Sequence, residues 1–209
     1  MTGGKPLVIG LTGSIGMGKT TTAKAFESLG IRVFDADAVV HRLYKPGGAA
    51  VGAVEEAFPR TTNEAGGVDR GALAEHLAAE PEGLRRLERI VHPLVAREQR
   101  RFLEQADRDG ADLVVLDIPL LFETGRHDAV DVVVVVSAPA DVQRSRVLSR
   151  PEMTEAKLLQ LLARQVPDAE KRAQADFVVE TGRGLDHAME QVQRIVAVLR
   201  ARRQEQHRA

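Results

Sequence analysis

Cysteine is absent from the 209-residue chain. That excludes disulfides, zinc–thiolate centres and thiol nucleophiles, and it fits a reducing compartment. Tryptophan is absent too, with one tyrosine and six phenylalanines, so few rings are available to stack on bases. No sign of charge dominates: 29 Lys and Arg against 30 Asp and Glu leave a formal net charge of −1. No basic field therefore draws in nucleic acid. Long apolar runs are missing. The longest aliphatic run, Val132–Val136, is bounded by Asp131 and Ser137 and is far too short to span a bilayer. The opening Met-Thr-Gly-Gly-Lys-Pro has no apolar h-region, so no signal peptide is expected. Asn63 is the only asparagine and Glu64 follows it, so the Asn-Lys-x-Asp guanine signature of switch GTPases is excluded. The expectation is a soluble cytoplasmic protein with no nucleic-acid or membrane partner, and a monomer.

What is present is ordinary globular composition, 44% hydrophobic and 28% charged, in a length suited to one sizeable α/β core with small insertions. Five short aliphatic runs read as buried parallel strands: Leu7–Thr12, Arg32–Asp35, Leu113–Ile118, Val132–Ser137 and Phe177–Glu180. Helical patterns between them predict a doubly wound sheet. The long gap after the second strand holds a turn-rich piece at Thr61–Val68 and helices expected over Arg70–Ala79, Pro81–Val91 and Leu94–Asp107. A second insertion, residues 139–174, reads as two helical stretches split near Pro151 and the Thr154 cap. The tail from Leu185 carries Leu185, Met189, Val192, Ile195, Val196 and Leu199 on one stripe, the pattern of a helix packed on the sheet.

The chemistry concentrates at Gly13-Ser14-Ile15-Gly16-Met17-Gly18-Lys19-Thr20. This is G-x-x-x-x-G-K-[ST], lying after a strand and before a helix. Glycines let the backbone curl so that N–H groups face phosphate oxygens. Lys19 supplies a mobile cation, Thr20 a hydroxyl for Mg²⁺, and the helix through Thr20 and Thr21 its positive end. The ligand expected is a nucleoside triphosphate, ATP.

Asp35 and Asp37 stand two apart at the end of the second strand, where they would share a face at the carboxyl edge of the sheet. Either can accept a hydroxyl proton or order a metal ion; a solvated loop acid beside an N-cap is the alternative for the pair. Asp117 ends the third strand in a Walker-B-like position, and as a capping acid it would look the same. Gln143, Arg146 and Arg150 fall at i, i+3 and i+7 of a helix. They could close over transferring phosphates, or form a plain basic face. His92-Pro93 interrupts "LERIVHPLV", with Pro93 in the first turn of the next helix; a lone His in such a joint reads as structural.

In order, "GLTGSIGMGKTT", "FDADAVVHRLY", "LERIVHPLV", "VVLDIPLLFETG", "SAPADVQRSRVLSR" and "AEKRAQADFVVETG" resemble the dephospho-CoA kinase family, whose members phosphorylate the 3′-hydroxyl of dephospho-CoA with ATP. The resemblance runs from about Leu7 to Val198. It implies a P-loop kinase core with a five-stranded parallel sheet flanked by helices, a helical acceptor-side insertion over residues 60–108 and a lid over residues 138–168, all in one kinase unit of residues 1–209. It implies Asp37 as catalytic base and a substrate-binding residue. Gly16–Thr21 would lie in the ATP loop, His92 and Pro93 in the acceptor-side motif, and Arg146 and Arg150 would be catalytic arginines of the lid. With the loop reading, Gly13–Thr21 bind nucleotide, Lys19 is also catalytic, and Thr20, Asp35 and Asp117 are the Mg²⁺ candidates. The chain departs from many members at Ala78, where they carry Phe, and at Thr181, where they carry Asn. A kinase for another small hydroxyl or nucleoside monophosphate acceptor, and a regulatory nucleotide binder, are the rival readings.

Overall fold

The computed structural model describes residues 5–125 and 129–206. Residues 1–4, part of the stretch read above as lacking a leader, lie outside the described residues. The backbone forms two compact units, residues 1–34 with 106–209, and residues 35–105.

The first unit is built on β1 (Leu7–Thr12), β2 (Arg32–Asp35), β3 (Leu113–Asp117), β4 (Val132–Ser137) and β5 (Phe177–Glu180). They form one parallel sheet in the order β2-β3-β1-β4-β5. Both faces are covered, so β3 and β4 are buried at every residue, which is why they read as unbroken aliphatic runs. Register is fixed at the strand starts. Asp131 Oδ2 accepts from Val8 N–H at 2.7 Å, and Asp176 Oδ2 accepts from Val133 N–H at 2.7 Å. Ladder pairing then sets Leu11 beside both Asp117 and Val134. Helices α1 (Lys19–Ser28) and α9 (Leu185–Gln206) pack Phe26, Val192, Ile195, Val196 and Leu199 onto Ile9, Leu11, Val134 and Val136. Leu185 leaves the expected stripe: at the helix start it is 70% exposed.

After β4 come α6 (Ala140–Leu148), α7 (Glu155–Leu162) and α8 (Asp168–Ala173). Thr154 caps α7 by accepting from Lys157 N–H. The expected i, i+7 relation of Gln143 and Arg150 is corrected. Helix α6 stops at Leu148 with Ser149 as C-cap, because Pro151 disfavours helical geometry at the residue before it. Arg150 therefore lies past the helix.

The second unit carries α2 (Ala36–Leu43), α3 (Val51–Ala57), α4 (Arg70–Ala79) and most of α5 (Gly83–Arg108). Val39, Leu43, Val54, Phe58, Val68 and Leu73 are buried in it. Its turn-rich piece is closed by a Thr62–Val68 antiparallel bridge and by Glu55, which accepts from Arg60 N–H, Thr61 N–H and the Thr62 hydroxyl. Two expectations are corrected here. The strand carrying Asp35 ends at that residue, and Ala36 opens a helix, so Asp35 and Asp37 are not on one strand face. The two helices expected over 81–91 and 94–107 are one, with Pro93 inside it. Proline removes one N–H and crowds a carbonyl, at about 3 kcal/mol. The 26-residue helix nevertheless runs through Pro93, which is exposed.

Candidate functional site

In the first unit the loop between β1 and α1 is held from outside. Gly18 is the N-cap of α1 with φ +95° and makes no side-chain cap. Helical bonding begins only with Thr22 N–H to Gly18 C=O at 3.1 Å. The amides of Lys19, Thr20 and Thr21 are thus given to no helix carbonyl, and these are the groups a helix start offers to an anion. A Cβ at Gly18 would lie 3.1 Å from the Thr181 hydroxyl, and at Gly16, φ +78°, 2.5 Å from Val147. Only glycine fits both the dihedrals and the space.

The loop carbonyls are turned onto protein donors. Gln143 Nε2 donates to Ile15 O at 2.8 Å, and the Thr181 hydroxyl donates to Met17 O at 2.6 Å. Within the loop Met17 N–H donates to Ser14 O at 3.2 Å. In a trans peptide the carbonyl and the next N–H point opposite ways. Fixing Ile15 O and Met17 O therefore directs the Gly16 and Gly18 amides away from those donors. Ile15 N–H is spent on Gln165 Oε1 at 3.2 Å, and Ala138 N–H points at the Met17 sulfur.

Lys19 Nζ is ion-paired with Asp117 Oδ1. This brings the loop cation together with the buried acid that ends β3. Thr20 and Thr21 are exposed at the start of α1, and the Ser14 side chain is buried. Arg146 is fixed by two bonds, Nη1 to the Thr181 hydroxyl at 2.9 Å and Nη2 to Thr181 O at 2.8 Å. Arg150 is exposed. The Thr181 hydroxyl accepts from Arg146 and gives its own proton to the loop, so one oxygen links the two.

On α8, Lys171 is fully buried with Nζ 2.7 Å from Glu123 Oε1. The contact is an ion pair, and neither Nζ nor Glu123 Oε2 has a hydrogen-bond partner among the described residues. Glu123 Oε1 also accepts from Val166 N–H at 2.9 Å. Burial alone would raise the Glu123 pKa. The Lys171 contact and charge and the Glu123 and Val166 amides outweigh it and hold the carboxyl below its ordinary range.

In the second unit Asp35 is the N-cap of α2, its Oδ1 accepting from Ala38 N–H at 2.9 Å. Asp37 lies in the first turn of that helix and is exposed, a position that suits an anion at the positive helix end. His92 and Pro93 are both exposed on α5, which runs through them without the helix-to-helix joint expected there. Arg70 donates to His41 Nδ1 at 3.1 Å, and Arg86 lies 4.4 Å from the Phe58 ring centre while pairing with Glu80.

Gln165 had no signal in the sequence: it is a polar residue beside Arg164 in the break after α7. Thr181 stood out only as a departure, and its link between Arg146 and the loop depends on long-range packing that no local pattern encodes.

A glycine loop at the carboxyl end of a central parallel strand, its lysine paired with the acid that closes the next strand, defines a P-loop kinase. Dephospho-CoA kinase is the family model that matches, over residues 7–187, and the chain belongs to that family. The dephospho-CoA kinase of Agrobacterium fabrum (strain C58) is 55% identical over 93% of this chain and 99% of that protein. The crystal structure of TT1252 from Thermus thermophilus superposes with TM-score 0.78 at 34% identity, covering 93% of this chain and 98% of that one. The dephospho-CoA kinase from Campylobacter jejuni shares the fold, with TM-score 0.66 at 20% identity over 92% and 96% of the two chains. Among the described residues no helix is long and apolar enough to cross a membrane.

Proposed function

We propose that this kinase transfers the γ-phosphoryl group of ATP to the 3′-hydroxyl of dephospho-CoA, giving CoA and ADP in the cytoplasm. The observation that carries the reading is the family match across residues 7–187 together with a phosphate loop in which the Ser14, Ile15, Met17 and Gly18 carbonyls accept from protein donors. Residues 13–21 hold the triphosphate. The amides of Gly16, Gly18, Lys19, Thr20 and Thr21 supply the donors, and Lys19 the charge on the outer phosphates.

The acceptor oxygen bonds to the γ-phosphorus as the bond from phosphorus to the β–γ bridging oxygen breaks. ADP leaves, and the hydroxyl proton passes to Asp37. What supports Asp37 is its exposed carboxylate at a helix start and its match to the family's motif position. Arg150, exposed beyond α6, answers the charge on the transferring group, and Arg146 holds the nucleotide side of the lid, residues 138–168. Residues 60–108, with His92 and Pro93, serve the acceptor.

Mg²⁺ fits the hard oxygen donors available, the Thr20 hydroxyl and the Asp117 carboxylate, with the second oxygen of Asp35 as a further candidate. No cluster of three or more His, Cys, Asp or Glu that could hold a metal ion occurs among the described residues. When bound, the ion neutralises charge between the outer phosphates.

Coupled ADP release with a panel of acceptors tests the reading. Dephospho-CoA should be turned over and the product should carry phosphate at the 3′-position. Efficient turnover of shikimate or AMP with dephospho-CoA inert would replace it with a kinase for another acceptor.

A further inference from the structure

Ile15 has both of its backbone polar groups held by side chains from elsewhere in the first unit. Its carbonyl accepts from Gln143 Nε2 at 2.8 Å and its N–H donates to Gln165 Oε1 at 3.2 Å. The chemistry fixes each amide's orientation, since a carbonyl needs an NH₂ and an N–H needs an oxygen. The two glutamines stand at the two roots of residues 138–168, one on α6 and one in the turn after α7, where Gln165 N–H closes on Leu162 O at 3.0 Å.

Both roots are themselves anchored. The Gln143 side chain is buried, and Gly16 sits so close to α6 that a Cβ there would meet Val147 at 2.5 Å. On the other side Val166 N–H is bound by Glu123, which also holds the buried Lys171. Residues 144–164 are therefore bracketed by two contacts to one loop residue.

We propose that Gln143 and Gln165 are positioning residues that couple the lid to the phosphate loop through the two peptides flanking Ile15. Gln143 fixes the Ile15–Gly16 peptide and so aims the Gly16 amide. Gln165 fixes the Ser14–Ile15 peptide, whose carbonyl takes the Met17 N–H at 3.2 Å. Residues 144–164 are tied to the loop at these two contacts: loss of Gln143 frees the Gly16 amide directly, and loss of Gln165 frees the Ser14–Ile15 peptide that precedes it. The inference rests on the reading of residues 13–21 as the nucleotide loop and 138–168 as the lid, but not on the identity of the acceptor.

The test uses Gln143→Met, Gln165→Met and the double variant in the full chain. ADP affinity is measured by calorimetry without acceptor, followed by steady-state kinetics and thermal unfolding. Each single variant should weaken ADP binding roughly 5- to 10-fold, the worth of one hydrogen bond made to a partly buried backbone group. The Michaelis constant for ATP should rise in step, and that for dephospho-CoA should stay within about twofold, because the lost interaction is on the nucleotide side. The double variant should lose less than the product of the singles, since both glutamines restrain the same residue. Folded single variants with wild-type ADP affinity, even at a lower melting temperature, overturn the proposal, as does a double variant equal to the product. If the double variant fails to fold, Gln165→Met alone decides by its ADP affinity. A wild-type enzyme that binds ADP in a glutamine-dependent way yet leaves dephospho-CoA untouched would sink the acceptor reading and keep the coupling.

Discussion

Thr181→Val keeps the side-chain shape and the β-branch at the end of β5 and removes only the hydroxyl. That hydroxyl donates to Met17 O at 2.6 Å and accepts from Arg146 Nη1 at 2.9 Å. Arg146 keeps its bond to Thr181 O at 2.8 Å, and Thr181 N–H keeps Ser137 O at 2.9 Å, so the strand end should stay in place. A buried carbonyl left without its donor costs about 1–3 kcal/mol, and halving the attachment of a guanidinium adds about 1 kcal/mol, for a total of about 2–4 kcal/mol. For a chain of this length each kcal/mol moves the melting temperature by about 2–4 °C, so a fall of roughly 4–16 °C is expected. The same hydroxyl fixes the Met17–Gly18 peptide, and ADP affinity should drop together with stability. Differential scanning calorimetry with and without ADP reads both effects. Thr181→Ser, which retains the oxygen, should recover most of the loss. A Thr181→Val protein with wild-type melting temperature and ADP affinity would refute the assignment of that hydroxyl as the link between Arg146 and the loop.

Lys19→Ala should abolish turnover while leaving the far-ultraviolet circular dichroism unchanged, because Lys19 lies at the head of a helix whose core contacts are elsewhere; near-normal turnover in the folded variant would rule out a working phosphate loop. Arg146→Ala should lower both the melting temperature and kcat, since it loses two bonds to Thr181. Arg150→Ala, at an exposed site, should lower kcat with an unchanged melting temperature, and equal stability effects in the two variants would contradict the placement. Glu123 has its folded-state pKa lowered from an ordinary value of 4.5, so its contribution is present above that pH and is lost as pH falls through the folded value. The difference in melting temperature between wild type and Glu123→Gln should be constant near neutrality and shrink below about pH 4.5; a gap that widens in acid would reverse the sign of the argument.

The sheet was legible because buried parallel strands leave unbroken aliphatic runs: four of the five strands have the boundaries read from sequence, and β3 stops one residue short at Asp117, though Ile118 N–H still bonds Leu11 O at 3.0 Å. The phosphate loop was legible because its glycines answer local demands, positive φ at Gly16 and Gly18 and no space for a Cβ. Places where two local rules compete were not legible. Asp35 satisfies both a strand-end acid and an N-cap, and the cap prevailed because Ala38 N–H needed an acceptor. Pro93 reads as a helix start, yet α5 continues through it with its ring on an exposed face. Arg150 follows helical spacing on paper, but Pro151 ends that spacing before it is reached. Gln165 is invisible to any window of neighbouring residues because its partner is 150 positions away.

The single-turnover rate of Asp37→Asn, with ATP saturating and enzyme in excess over dephospho-CoA, tests the central claim most directly. The substitution keeps size and hydrogen-bonding shape and removes proton acceptance and charge. Asp37 is exposed in the first turn of α2, so folding should be unaffected. The account predicts a rate lower by roughly 10²- to 10⁴-fold, the usual worth of a general base, which is about 3–5 kcal/mol of barrier. ATP affinity should stay near that of the wild type because the loop of residues 13–21 is intact. A folded Asp37→Asn enzyme that transfers phosphate to dephospho-CoA at the wild-type single-turnover rate would contradict it.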